Sequence, residues 1–104
     1  MESSSQKIIK IITNIMSMLK ENGGVTSMWH YDFFKDILEK LNRPHDINKV
    51  VNNIMPIFGG MGTFNDLILH KNSIPLIKEN DQLADLSDQL FLACKEVRGY
   101  SDEM

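Results

Sequence analysis

Residues 79–98 read Glu-Asn-Asp-Gln-Leu-Ala-Asp-Leu-Ser-Asp-Gln-Leu-Phe-Leu-Ala-Cys-Lys-Glu-Val-Arg, and within them Leu83, Leu86, Leu90, Ala93, Cys94 and Val97 recur at three- and four-residue intervals. That period puts them on one stripe of an α-helix. The ends agree with the middle. Glu79 and Asp81 stand where the N-terminus of a helix favours anions, Lys95 and Arg98 where its C-terminus favours cations, and Gly99 follows as a residue able to end the last turn. The pattern predicts a helix that starts near Glu79 or Asn80 and ends at Arg98. A helix with one apolar stripe cannot bury it alone, so the rest of the chain must supply partners for it.

Three further segments carry the same period. In residues 3–22, Ile8, Ile11, Ile12, Ile15, Met18 and Leu19 repeat at helical spacing behind serines able to cap the start, and Asn22-Gly23-Gly24 ends the run. A second helix is predicted from Thr26 or Ser27 to Leu41, with Trp29, Phe33, Ile37, Leu38 and Leu41 inward and Asp32, Asp36 and Lys40 on the opposite face. By that register Tyr31 and Phe34 point away from the core. Asn42-Arg43-Pro44 breaks the chain, and Asp46 can cap a third helix carrying Ile47, Val50, Val51, Ile54 and Met55. Pro56 should stop or kink it near Met55, because proline lacks an amide proton and crowds the preceding turn.

Residues 58–69, Phe-Gly-Gly-Met-Gly-Thr-Phe-Asn-Asp-Leu-Ile-Leu, come next and hold three of the chain's six glycines, Gly59, Gly60 and Gly62, between two apolar runs. Glycine clustered so tightly costs folding entropy and marks a corner that needs backbone freedom. Thr63 to Asp66 has the spacing of a helix-start signal. The stretch from Phe64 to His70 suits one helical turn or a short buried strand equally, and we take it as irregular or a single turn. Lys71-Asn72-Ser73-Ile74-Pro75 is loop by composition. The expected fold is therefore all-α: a small bundle of about four helices with a Gly-rich corner and an irregular or short extended segment before the last helix.

The 104 residues, 42% hydrophobic and 24% charged, suit one domain with one continuous core, residues 1–5 and 100–104 being the parts expected to fray. A single cysteine excludes an internal disulfide, and Cys94 reads as a small apolar core residue, which fits a reducing compartment. The first twenty residues lack a signal-peptide pattern, and no stretch reaches the roughly 18 apolar residues that span a bilayer, so a cytoplasmic location is expected. Net charge is −3, unevenly spread: residues 1–60 hold seven Lys/Arg against six Asp/Glu, residues 61–104 four against eight. Lacking a basic patch, the chain has little to gain from phosphate backbones, whereas its acidic half suits a basic partner.

No constellation of catalytic or metal-ligating type stands out. The glycines follow a helix and no lysine comes directly after them, which fits a structural corner made by Gly59, Gly60, Gly62 and Thr63 better than a phosphate loop. His30, His45 and His70 show no metal-ligand spacing, so neither metal nor cofactor is expected. An enzyme would need a histidine, Cys94 or Asp66 to converge in a cleft.

Three features invite recognition. Asn65 and Asp66 are polar residues in an apolar run just after the corner; they serve either as local caps or as a presented pair. Asp81, Asp85 and Asp88 fall at i, i+4 and i+7, giving the last helix a face of carboxylates that is either a solvated face or a strip for a basic partner. Tyr31, outward by register, is either a contact residue or part of a helix buried on two sides.

The run of residues 58–69 resembles the signature of an uncharacterised family of small bacterial helical domains, Phe-Gly-Gly-Met-Gly-Ser-Phe-Asn-Asp-Leu, with Thr63 where serine is usual and the capping hydroxyl kept. Trp29 early in the second helix is similar to that family's tryptophan, and the likeness spans residues 25–98. Members are often encoded among toxin and immunity modules of bacterial competition systems, including contact-dependent growth inhibition, and no catalytic residues are assigned to them. The resemblance implies a cytoplasmic immunity protein that neutralises one cognate toxin, commonly a basic nuclease domain, by covering its surface. On that reading Asn65, Asp66, Asp81, Asp85, Asp88 and Tyr31 are the candidate contact residues, and oligomeric state stays open. A small-ligand or regulatory domain with the glycine corner lining a pocket is the alternative.

Overall fold

The computed structural model describes residues 3–22, 25–58, 68–71 and 74–99. Four helices carry the fold: α1 (Ser4–Asn22), α2 (Val25–Leu41), α3 (Ile47–Ile54) and α4 (Ile77–Arg98). A 3-10 turn, Met55–Phe58, continues from α3, and two short strands, β1 (His70–Lys71) and β2 (Ile74–Pro75), pair antiparallel before α4. The all-α bundle expected from the periodicity is what the chain forms.

Each helix start has a local cause. Ser3 and Gln6 form a reciprocal capping box: the Gln6 N–H donates to Ser3 Oγ (3.1 Å) and the Ser3 N–H donates to Gln6 Oε1 (3.2 Å). Ser3 is thus the cap, and Ser4 and Ser5 begin the helix. Asp46, in extended conformation, accepts from the Asn48 N–H (3.0 Å) and so caps α3 as predicted. At Pro56 the α-helical ladder gives way to the tighter 3-10 turn, which needs no amide proton there.

α4 begins at Ile77, two to three residues earlier than its charge pattern suggests, because the Asn80 N–H already donates to the Leu76 carbonyl (2.8 Å). No side chain caps this start. Its other end matches expectation: Gly99 takes φ 85°, open to glycine without steric cost, and its N–H reaches the carbonyls of Lys95 and Glu96. Lys71, Ile74 and Pro75, read as loop, lie in the short extended pair instead, with Lys71 opposite Ile74 and His70 opposite Pro75. So short a ladder leaves no alternation to read.

The core is continuous. α1 contributes Ile8, Ile11, Ile12, Ile15 and Leu19, α3 Val50, Val51 and Ile54, and α4 Leu83, Leu90, Ala93 and Cys94, with Leu69 inserted from the segment before the hairpin. α1 packs on both α2 and α4, and α3 on α2 and α4. The Lys7 ammonium meets the Glu96 carboxylate at 3.0 Å, tying the start of α1 to the end of α4, so these helices run antiparallel. Since α1 and α2 are joined through two residues and also pack together, α2 and α4 both start at the same end of the bundle.

α2 is rotated by part of a turn from its expected register: Ile37 and Leu41 are buried and Leu38 is packed against the core as expected, but Trp29 and Phe34 exchange places. Phe34, Ile37 and Leu41 are buried together with His30, whereas Trp29 is 62% exposed and Phe33 is partly covered. Trp29, predicted inward, is thus outside, Phe33 is at the margin of the core, and Phe34, expected outside, is fully buried. The helix carries apolar side chains on more than half its circumference, and packing against α1 and α3 selects the 30-34-37-41 stripe.

Candidate partner-binding surface

Asp81, Asp85 and Asp88 are all exposed on α4, on the side opposite Leu83, Leu90 and Cys94. The same 3.6-residue period that sends the leucines inward sends these carboxylates outward together. Asp85 accepts a hydrogen bond from the Gln89 amide (2.9 Å), and none of the three has an ion-pair partner among the described residues. Like charges so spaced on one helix repel by a few tenths of a kcal/mol, ~0.2–0.5 per pair, a cost that a cationic partner would reverse.

The remaining predicted contacts separate from this strip. Tyr31 is half-buried between α1 and α2, lining with Thr13, Met16, Ser17, Lys20 and Leu38 an open groove of about 230 Å³. It is not the outward-pointing side chain expected. Asn65 and Asp66, with the corner residues Gly59, Gly60, Gly62 and Thr63, lie outside the described residues.

α2 presents a surface that sequence reasoning missed. The Trp29 and Phe33 rings stack in parallel, centroids 6.1 Å apart and planes within 5°, and the Trp29 ring meets the His30 ring edge-on at 4.9 Å. Asp32 and Asp36 are exposed on the same side of the helix, Asp36 held by Lys40 at 3.3 Å. The spacing 29-32-33-36 was visible as a second helical stripe, but the preference for burying large aromatics assigned it to the core.

At the corner between α2 and α3, a second open cleft of about 250 Å³ is lined by Lys40, Arg43, Pro44, His45, Asp46 and Lys49 among others. Its cations are largely compensated. Lys40 and Arg43 pair with Asp36 and Glu39 of α2, and Asp46 occupies the N-terminus of α3. His45 acts as a strut, bonded through Nδ1 to the Arg43 carbonyl (2.6 Å) and through Nε2 to the Ser5 hydroxyl (3.0 Å).

Cys94, the one thiol, lies fully buried in the core, and burial pushes its pKa up to about 12. It is a protonated apolar filler at neutral pH, without the thiolate that a nucleophile requires. Among the described residues no group of three His, Cys, Asp or Glu is placed to hold a metal ion, and no helix is long and apolar enough to cross a membrane.

Compared with known proteins, residues 29–77 match the family described as "Domain of unknown function (DUF6966)". The matched span is just under half of the chain and runs from Trp29 through Gly59, Gly60 and Gly62 to the first residue of α4. Neither a curated protein nor a solved structure matches.

Proposed function

We propose that this chain is a non-catalytic binding protein, of the immunity type, that neutralises a basic toxin domain in the cytoplasm by forming a one-to-one complex with it. The observation that carries the reading is the exposed carboxylate strip Asp81, Asp85 and Asp88 on a helix whose other side is locked into the core. A rigid helix presents its charges at fixed spacing, so little ordering entropy is lost when a cationic surface docks. The acidic balance of residues 61–104, four Lys/Arg against eight Asp/Glu, steers such a partner towards this side. The resemblance of the glycine corner to domains found among toxin and immunity modules supplies the biological context, with Asn65 and Asp66 as further contact candidates.

The test is to mix the purified chain with the product of the neighbouring upstream gene. A complex with a dissociation constant on the order of nanomolar, weakened by salt and by joint neutralisation of Asp81, Asp85 and Asp88 to asparagine, is expected. Rescue of cells expressing that neighbour should accompany it. Failure to form the complex together with failure to rescue removes the proposal.

A further inference from the structure

We infer that the outer face of α2 is a separate recognition site for a cationic side chain, arginine above all, received between the Trp29 ring and the Asp32 carboxylate. It rests on the reading of the chain as a binder of a basic protein and adds a contact point that the α4 strip does not contain.

Trp29 is the only tryptophan, and a side chain of that size left 62% exposed forgoes a large hydrophobic gain. It is nevertheless held in place. The offset parallel stack with Phe33 and the edge contact with His30, itself only 2% exposed, hold the ring against the helix. An aromatic ring that is held in place yet mostly exposed is a preformed platform, and the negative face of an indole attracts cations.

Asp32 stands one turn further along the same side, so its Cβ lies about 5–6 Å from that of Trp29. It is exposed and has no ion-pair partner among the described residues, whereas Asp36 is already taken by Lys40. A ring face and an uncommitted carboxylate at that separation match a guanidinium, which stacks through its plane and donates in a fork from its edge. Lysine would satisfy the charge but not the fork. The chain makes the same kind of contact internally, where Lys95 Nζ lies 6.0 Å from the centroid of the Phe91 ring.

Charge and topology favour the same occupant. Because α2 and α4 start at one end of the bundle, Asp81 and Asp85 add negative potential at the end where Trp29 sits. A second copy of this chain, with its net charge of −3, brings no such cation in excess.

The lone tryptophan makes the site directly observable by fluorescence and by its indole N–H signal in NMR. Titration with a capped Gly-Arg-Gly peptide should shift both saturably at millimolar concentration, more strongly than Gly-Lys-Gly, while the uncharged citrulline peptide should have no comparable effect. Asp32→Asn should weaken the arginine response at least three-fold at an unchanged melting temperature. Equal responses to arginine and citrulline, or an undiminished response in Asp32→Asn, would overturn the inference. So would sedimentation showing a dimer that Trp29→Ala dissolves, since the platform would then be a self-association surface. The peptide titration reads this site alone and the complex with the neighbouring gene product reads the broader proposal, so either can fail without the other.

Discussion

The Asn80 side chain clasps the main chain of Leu69 at two points: Oδ1 accepts from the Leu69 N–H at 2.7 Å, and Nδ2 donates to the Leu69 carbonyl at 3.1 Å. The carboxamide acts as a one-residue strand. It satisfies polar groups that accompany a fully buried leucine, and the Leu76 N–H adds a further bond to the same carbonyl (3.0 Å). The hairpin that leads into α4 is thereby pinned to the first turn of that helix.

Replacing Asn80 by alanine removes both bonds and leaves the Leu69 N–H without its partner. The expected cost is about 1–3 kcal/mol, read from urea unfolding, and the Leu69 amide should lose protection in hydrogen exchange before the α1 and α4 core does. Asn80→Asp is informative because it keeps the acceptor but points a carboxylate at the Leu69 carbonyl; it should be no more stable than the alanine variant. An undiminished Leu69 protection in both variants would show that the clasp does not hold the hairpin.

The register of α2 makes an opposed pair of predictions. Phe34→Ala, which empties a fully buried site, should cost about 3–5 kcal/mol, whereas Trp29→Ala, at an exposed one, should stay under about 1 kcal/mol. Thermal or urea unfolding of the two variants decides it, and the reverse order would restore the register in which Trp29 and Phe33 face inward.

That register also marks how far the sequence could be read. α1, α3 and α4 each have one narrow apolar stripe, so period alone located the helices and named Ile8, Ile12, Val51, Ile54, Leu83 and Leu90 as core. α2 has apolar residues at 28, 29, 31, 33, 34, 37, 38 and 41, wide enough for two stripes, and only packing against its neighbours chooses between them. The acidic strip was legible because it is local to one helix. The Asn80 clasp was not, since it joins residues eleven apart through a side chain that gives no periodic signal. The same holds for the exposed Trp29–Phe33 stack, which runs against the usual burial of aromatics.

The helix starts offer a prediction of intermediate size. Ser3→Ala breaks the capping box at α1, and Asp46→Ala removes the cap of α3; each should destabilise by about 1 kcal/mol. Asp46→Asn keeps an acceptor for the Asn48 N–H and should recover most of the loss. The two caps lie on different helices with no shared bond, so the double variant Ser3→Ala, Asp46→Ala should show additive losses in denaturant unfolding. A marked departure from additivity would indicate that the His45 strut, which bonds Ser5 next to the first cap and lies beside the second, couples them.

Cys94 predicts a pH dependence with a defined sign. Burial raises its thiol from an ordinary 9.0 to about 12, so the folded chain holds the proton more tightly than the unfolded chain. Below pH 9.0 both states are protonated and the contribution of the buried thiol is intact; between 9.0 and about 12 only the unfolded state loses its proton, and stability falls. The limiting slope is about 1.4 kcal/mol per pH unit. The measurement is the difference between the native chain and Cys94→Ala in urea unfolding at pH 8, 9, 10 and 11, in which the contribution of every other group cancels. The native chain should lose stability faster than the variant above pH 9. In parallel, iodoacetamide at pH 8 should leave the folded thiol unmodified and alkylate it promptly in urea; rapid alkylation of the folded protein would place Cys94 outside the core.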